Sequence, residues 1–175
     1  MMQPVPHQQY RRGEFTISTD PAMLDVPAVH AFLTHSYWAE GVPLLVVERS
    51  ILNSLCFGLY EGKDQIGFAR VVSDLATYAY LADVYVLEKY RGRGLAKWLM
   101  ECIQQHPELQ GLRRWGLVTR DAHGLYEQFG FTRPVKPEGY MEKVVPDIYN
   151  QSSVGSPQSS GKTRAKPQRT QRSQE

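Results

Sequence analysis

One stretch of the chain constrains its fold more than any other, because an apolar strand runs through a glycine-broken turn directly into a helix. This stretch is Asp83–Trp98, in which glycine stands at positions 92 and 94 and alanine at 96. Glycine lets the backbone approach a ligand closely, and the unpaired amides of a helix's first turn point toward whatever lies there. The helix dipole and the basic side chains of Arg91, Arg93 and Lys97 add to these amides. The turn therefore predicts a cradle for a phosphate or pyrophosphate at the end of a strand.

Two common phosphate-binding loops do not fit this turn. Lys97 stands where the third glycine of the dinucleotide pattern Gly-x-Gly-x-x-Gly would be, and the Gly-Lys-Ser/Thr of a Walker loop does not follow. The segment Arg91–Ala96 instead resembles the pyrophosphate loop of the Gcn5-related N-acetyltransferases (GNAT), whose pattern is Gln/Arg-x-x-Gly-x-Gly/Ala. Downstream, Leu125–Phe131 is similar to the family's second signature, a helix that ends Leu-Tyr-x-x-x-Gly-Phe. The resemblance covers roughly residues 14–145 and is strongest over 80–131.

The order of predicted elements agrees with this resemblance. Apolar and β-branched runs predict strands at Glu14–Ser18, Leu55–Tyr60, Ile66–Val72, Tyr78–Leu87 and Trp115–Thr119, from Phe131 onward and over Gly139–Val145. Apolar residues three or four apart predict helices from Asp20 to Thr34, from near Pro43, over Leu95–Ile103, and from a cap at Asp121 to Gly130. Strands before, between and after helices predict an α/β fold with a mixed sheet. The resemblance implies that this central sheet is mostly antiparallel and flanked by helices, with a splayed cleft for acetyl-CoA.

Length and charge predict the domain organisation. A chain of 175 residues suffices for one domain, which we expect at 13–146 as the N-acetyltransferase domain, after a flexible segment at 1–12. Residues 147–175 are expected to form a disordered basic tail, because the sequence there is rich in Ser, Gln and Pro. Residues 151–175 carry five basic side chains and one acidic side chain, a net charge of +4. Because the whole chain has a net charge of +2, residues 1–150 carry −2. A slightly acidic domain argues against specific nucleic-acid binding, although the tail could make a salt-sensitive contact with an acidic partner.

The sequence also bears on compartment and metals. No run has the length of a signal-peptide core or a membrane span, so we expect a cytoplasmic protein that does not contact membranes. Cys56, in an apolar strand, and Cys102, on an apolar helix stripe, are expected to be buried free thiols. The five histidines show no paired metal spacing, so no metal is expected. A homodimer that exchanges its last strands is left open.

The resemblance assigns the co-substrate and the residues that hold it. In the family, the strand before the glycine turn carries a bulge and splays from its neighbour, and pantetheine lies there like an extra strand. The backbone of Val84, Tyr85 and Val86 would then bond the pantetheine arm. The pyrophosphate of acetyl-CoA would lie on Arg91, Gly92, Arg93, Gly94, Leu95, Ala96 and Lys97.

The resemblance also suggests an acid and a base for acetyl transfer. Tyr126 matches the tyrosine that protonates the departing thiolate in many relatives; the alternative is a packed core aromatic, since Leu125 and Phe129 share its stripe. Asp83 lies just before the expected bulge, where some relatives carry an acidic residue that could deprotonate the acceptor amine. Its alternative is a structural carboxylate bonded to a loop.

The segment between the first two helices is the candidate acceptor site. In relatives this segment roofs the acceptor pocket, and here it contains Tyr37 and Trp38 beside Glu40. Two aromatic rings and an acid suit a cationic amine, whereas the alternative is that both rings pack against the sheet. The sequence departs from many relatives at Thr119, where an asparagine often contacts CoA, and at Arg114, where one protein-N-terminus subgroup has a catalytic glutamate.

These features predict an acetyl-CoA-dependent N-acetyltransferase that acts by direct transfer on a small-molecule amine. A protein lysine or N-terminal acetyltransferase is the nearest alternative, and it predicts an open acidic groove in place of an aromatic pocket. A catalytically silent acyl-CoA-binding sensor is the alternative from another class.

Overall fold

A computed structural model describes residues 6–149, which form a six-stranded sheet with helices on both faces. The strands are β1 (Gln9–Arg12), β2 (Phe15–Ser18), β3 (Leu55–Glu61), β4 (Asp64–Ser73), β5 (Tyr78–Val86) and β6 (Arg114–Gly116). The helices are α1 (Val26–Leu33), α2 (Leu44–Leu52), α3 (Leu95–Gln105) and α4 (His123–Glu127). The strands lie in the sheet in chain order. Each is antiparallel to its neighbour except β6, which is parallel to β5. The expected α/β fold with a mixed, mostly antiparallel sheet is confirmed.

Successive residues of β3 face opposite sides of the sheet and thereby separate two cores. Phe57 packs with α3 in the larger core, whereas Cys56 packs with α1 and α2 in the other. The predicted stripe of α3 is buried, since Leu95, Trp98, Leu99, Cys102 and Ile103 all belong to the larger core. Burying this stripe against the sheet fixes α3, and with it the turn that precedes the helix.

The first helix begins later than predicted. Asp20 caps only a short 3-10 turn, Pro21–Met23, through its bond from the Ala22 amide at 2.9 Å. Asp25 caps α1 instead and accepts from the Ala28 amide at 2.9 Å. Pro27 explains the shift, because proline lacks an N–H and is best tolerated in the first turn of a helix.

The termini of the domain also differ from the prediction. Residues 9–12, which the sequence places in a flexible segment, form β1 and pair with β2. The strands expected from Phe131 onward and over Gly139–Val145 are wrong, since residues 131–149 contain only a 3-10 turn at Pro137–Gly139. Prolines at 134, 137 and 146 interrupt this segment, and proline cannot donate to a sheet. Residues 150–175 of the expected tail lie outside the described residues.

No helix within residues 6–149 is long and apolar enough to cross a membrane.

Candidate active site

The last stretch of β5 carries a bulge. Phe68 pairs with Tyr85 and Arg70 pairs with Ala82, so two residues of β5 lie opposite the single residue Ala69. Asp83 is the first of these two and has a φ of +54°, the left-handed conformation in which aspartate is tolerated better than most residues. The bulge that the resemblance implies is therefore present, and Asp83 lies in it.

Beyond the bulge, β5 has a free edge. Its pairing with β6 covers only Tyr78–Tyr80, which lie opposite Arg114–Gly116. Among residues 6–149, no strand pairs with Val84–Val86 on that side. The two strands therefore part, and backbone groups of β5 face an open cleft.

The cleft leads into the glycine turn. Gly92 and Gly94 have φ values of +75° and +72°, which residues other than glycine rarely adopt. Gly94 is the N-cap of α3 and provides no side-chain bond, while the helix's first internal bond runs from the Trp98 amide to the Gly94 oxygen at 3.0 Å. The amides of the first turn are consequently left for a ligand. They open on a groove of about 290 Å³ lined by Val86, Tyr90, Arg91, Gly92, Gly94, Leu95, Ala96, Lys97 and Leu125.

The basic side chains of the turn have different surroundings. Arg91 lines the groove and donates from Nε to the Val86 oxygen at 3.2 Å. Lys97 also lines the groove, and within residues 6–149 it forms no ion pair. Arg93 is directed elsewhere: it pairs with Glu14 at 3.0 Å and with Glu61 at 3.6 Å. Arg91 and Lys97 therefore provide the positive charge of the groove.

Helix α4 carries Tyr126 and borders this groove through Leu125. Thr119 Oγ1 accepts from the Ala122 amide at 3.1 Å, so Thr119 anchors the start of α4, whereas the expected cap, Asp121, forms no such bond. Leu125, the residue before Tyr126, lines the groove. Tyr126 itself is 9% exposed and packs edge-on against Phe131 at 5.9 Å. It thus packs in the core, next in sequence to a residue that lines the groove.

The hydroxyl of Tyr126 is held in its neutral form. Burial raises the pKa of Tyr126 to about 12, and the nearby Tyr37 and Asp121 add to the effect. Within residues 6–149 no group forms a hydrogen bond with this hydroxyl. At neutral pH the side chain is therefore a proton-bearing donor free to bond a ligand atom.

Both carboxylate oxygens of Asp83 accept hydrogen bonds. Its Oδ2 accepts from Arg70 Nε at 2.7 Å, and its Oδ1 accepts from Trp38 Nε1 at 3.3 Å. Arg70 in turn donates to Ser54 Oγ at 3.1 Å. The two charged side chains are only 10% and 17% exposed. Arg70 is not predicted from the sequence, although an arginine within the apolar run Ile66–Val72 indicates a buried charge partner.

The aromatic pair Tyr37–Trp38 is half-exposed. Tyr37 and Trp38 are 44% and 41% exposed, and their rings meet edge-on at 4.9 Å. Beneath them, Phe32 stacks on Tyr85 of β5 at 3.7 Å. Phe32, rather than Tyr37 or Trp38, thus makes the closest ring contact with the sheet, and the pair stays partly exposed. Arg120, which is likewise not predicted from the sequence, lies over the Tyr37 ring.

Both cysteines are buried free thiols, as expected. Burial raises the pKa of Cys56 and of Cys102 to about 12. The native protein is therefore expected to react negligibly with a disulfide reagent at pH 8 and to release both thiols in denaturant. Fast modification of either thiol in the native state would contradict this burial. Among residues 6–149, no group of three or more His, Cys, Asp or Glu side chains could hold a metal ion.

Comparison with known proteins agrees with the architecture and with the two motifs. A family model of the acetyltransferase (GNAT) domain matches residues 53–133. A protein of Gibberella zeae named putative acetyltransferase is 32% identical over 142 residues, which cover 68% of this chain and 79% of that protein.

Solved structures are similar as well. A putative GNAT acetyltransferase of Xanthomonas campestris pv. campestris is 50% identical, with a TM-score of 0.76 over 77% of this chain and 96% of that one. A GNAT family acetyltransferase of Elizabethkingia anophelis with acetyl-CoA bound shares the fold at 13% identity, with a TM-score of 0.55 over 77% of this chain and 90% of that one. The chain, with its bulged strand, glycine turn and Tyr126 helix, belongs to the GNAT acetyltransferases.

Proposed function

We propose that this acetyltransferase moves the acetyl group of acetyl-CoA to the amino group of a small molecule by direct attack. One observation carries the proposal: the free edge of β5 ends in an uncapped helix N-terminus, and Tyr126 and the Tyr37–Trp38 pair lie alongside. Along this cleft, the strand edge can bind an extended arm and the helix N-terminus can bind an anionic group. The side chains alongside can contact a reacting carbonyl.

The groups of acetyl-CoA complement those along this cleft. Its pantetheine arm carries amides that can bond the free backbone of Val84–Val86 in the manner of an added strand. Its pyrophosphate suits the amides of residues 95–97 together with Arg91 and Lys97. The Elizabethkingia anophelis relative with acetyl-CoA bound gives independent support for this co-substrate.

Starting from an ammonium, the transfer removes two protons from nitrogen and delivers one to sulfur. We propose that Asp83 takes a proton from the ammonium, so that the neutral amine attacks the thioester carbonyl and forms the C–N bond. A backbone amide at the bulge would stabilise the oxyanion. When the C–S bond breaks, Tyr126 donates its proton to the departing thiolate and regains one through solvent, which also takes the second proton from the nitrogen of the tetrahedral intermediate. The products are the N-acetyl amine, free CoA and one proton released to solvent.

The surroundings of the aromatic pair support a small acceptor. A protein acceptor predicts an open acidic groove, but the carboxylate that contacts the pair, Asp83, is paired with Arg70. A second charged group on the pair is the Arg120 guanidinium. The charges around Tyr37 and Trp38 are therefore mixed instead of acidic.

Calorimetric titration of acetyl-CoA into the full chain tests the co-substrate, and thiol release over a panel of amines tests the reaction. We expect binding, and thiol release with at least one small amine. Binding with thiol release only for peptides would refute the small-molecule acceptor. Binding without turnover of any amine or peptide would favour a sensor, and absence of binding would refute the co-substrate.

Substitution of Gly94 by alanine tests the cradle. We expect Gly94→Ala to raise the Kd for acetyl-CoA about 10-fold, because a side chain at positive φ costs roughly 1–2 kcal/mol and relaxation would rotate the first-turn amides away. Gly111→Ala is the matched control, since Gly111 has a φ of +73° and open space around it. Both variants should lose similar thermal stability. Equal Kd values for the two would contradict the cradle.

A further inference from the structure

The Tyr37–Trp38 pair holds a carboxylate and a cation side by side. Trp38 Nε1 donates to Asp83 Oδ1 at 3.3 Å, and the Arg120 guanidinium carbon lies 3.8 Å from the centroid of the Tyr37 ring. The two ring centroids are themselves 4.9 Å apart. Opposite charges therefore occupy neighbouring points on the wall of the proposed acceptor pocket.

Arg120 is fixed in place by Tyr37. The Tyr37 hydroxyl accepts the Arg120 backbone N–H at 3.1 Å, while the Tyr37 ring lies under the guanidinium. Tyr37 is also near enough to Tyr126 to influence its titration. One tyrosine side chain thus connects Arg120 to the place where we propose that the thioester reacts.

The guanidinium of Arg120 retains its donors for a ligand. Stacking uses the face of a guanidinium and leaves its in-plane N–H groups free. Within residues 6–149, no carboxylate lies within ion-pair distance of Arg120, in contrast to Arg70, whose charge is met by Asp83. A fixed guanidinium with free donors suits a carboxylate or a phosphate, which it can bind through two parallel bonds.

We infer that the acceptor is an amine that also carries a carboxylate or phosphate group, and that Arg120 binds this anionic group. The inference rests on the proposed function and names its substrate class. The ammonium of such an acceptor lies toward Asp83 and its anion toward Arg120. A polyamine or a lysine-rich peptide would instead bring a second positive charge against Arg120, and like charges repel.

Matched pairs of amines test this inference with the full chain. Each of the common amino acids is compared with its own amide, and phosphoethanolamine with ethanolamine, by thiol release at pH 8. We expect the anionic member to have a kcat/KM about 10-fold higher or more in at least one pair. Whether the amino acids or phosphoethanolamine show this preference distinguishes a carboxylate from a phosphate.

Substitutions at Arg120 test whether this side chain causes the preference for the anionic amine. We expect Arg120→Gln to abolish the preference by raising KM for the anionic amine about 10-fold, with kcat within about twofold, and Arg120→Lys to retain part of it. Arg113→Gln is the control, because Arg113 is exposed and its side chain forms no hydrogen bond or ion pair within residues 6–149. Acetyl-CoA titration and thermal melting of each variant check that the protein is folded.

Each outcome decides the inference. A preference for the anionic member that disappears in Arg120→Gln supports it. A protein that binds acetyl-CoA but turns over the uncharged members as well or better, or turns over no anionic amine, overturns it. A preference that survives in Arg120→Gln also overturns it. In these cases the proposed co-substrate stands, whereas absence of acetyl-CoA binding overturns the proposed function itself.

Discussion

Tyr126→Phe is expected to lower kcat by about 100-fold or more while leaving the Kd for acetyl-CoA within about twofold, since general acids contribute roughly 10²–10⁴-fold. The reason is that phenylalanine has no proton for the departing thiolate. The measurement is steady-state thiol release together with calorimetric titration of acetyl-CoA. Stability should not fall, because the hydroxyl has no hydrogen-bond partner within residues 6–149.

Because the hydroxyl has no such partner, Tyr126→Phe distinguishes a role as the acid from a role in packing alone. If Tyr126 only packs in the core, its hydroxyl is dispensable and kcat should stay near the wild-type value. Tyr10→Phe is the matched control, since Tyr10 packs on the same core and its buried hydroxyl also lacks a partner. Equal activity of the two variants would refute the role of Tyr126 as the acid.

Asp83→Asn is expected to lower kcat about 100-fold at pH 7, with a defect that shrinks as the pH rises. A primary amine has a pKa of roughly 10, so solvent itself deprotonates a growing share of the acceptor above pH 9. Asparagine tolerates the positive φ of residue 83, so the bulge should persist. The measurement is the ratio of wild-type to variant kcat/KM between pH 7 and 9.5.

The sign of this pH dependence separates the two roles of Asp83. A base predicts a ratio that falls with pH, whereas a purely structural partner of Arg70 and Trp38 predicts a constant ratio. Tyr126 does not complicate the profile, because its pKa of about 12 keeps it protonated throughout this range. Asp64→Asn, the same carboxyl-to-amide change at the exposed start of β4, should leave the ratio near one. Loss of the Arg70 ion pair should also lower thermal stability, which requires assays well below the melting temperature.

The cradle was predictable from sequence because glycine spacing encodes local backbone conformation. Positions 92 and 94 need positive φ, and the helix that follows is fixed by its own apolar stripe. No long-range contact is required to recognise this arrangement. The placement of Asp83 followed in the same way from its position in a strand that ends in the turn.

The surroundings of the site could not be predicted, because they depend on contacts between distant parts of the chain. Arg70 meets Asp83 across a strand pair, 13 residues away, and Arg120 meets Tyr37 across 83 residues. Neither contact leaves a periodic pattern in the sequence. Strand β1 was missed for a related reason: Gln9–Arg12 has little apolar pattern and is a strand because β2 pairs with it. The segment at Gly139–Val145 shows the reverse, since its β-like pattern finds no partner strand within residues 6–149.

Because of the free edge of β5, we also expect the lifetime of the protein to depend on the concentration of acetyl-CoA. A ligand that binds only the folded chain stabilises it by about 2.7 kcal/mol when present at 100 times its Kd. We therefore expect acetyl-CoA to raise the melting temperature and to slow hydrogen exchange at Val84–Val86, where backbone groups otherwise face solvent. When the co-substrate is scarce, the same edge is open to proteases and to other extended chains. Degradation of the protein should therefore be faster when acetyl-CoA is depleted.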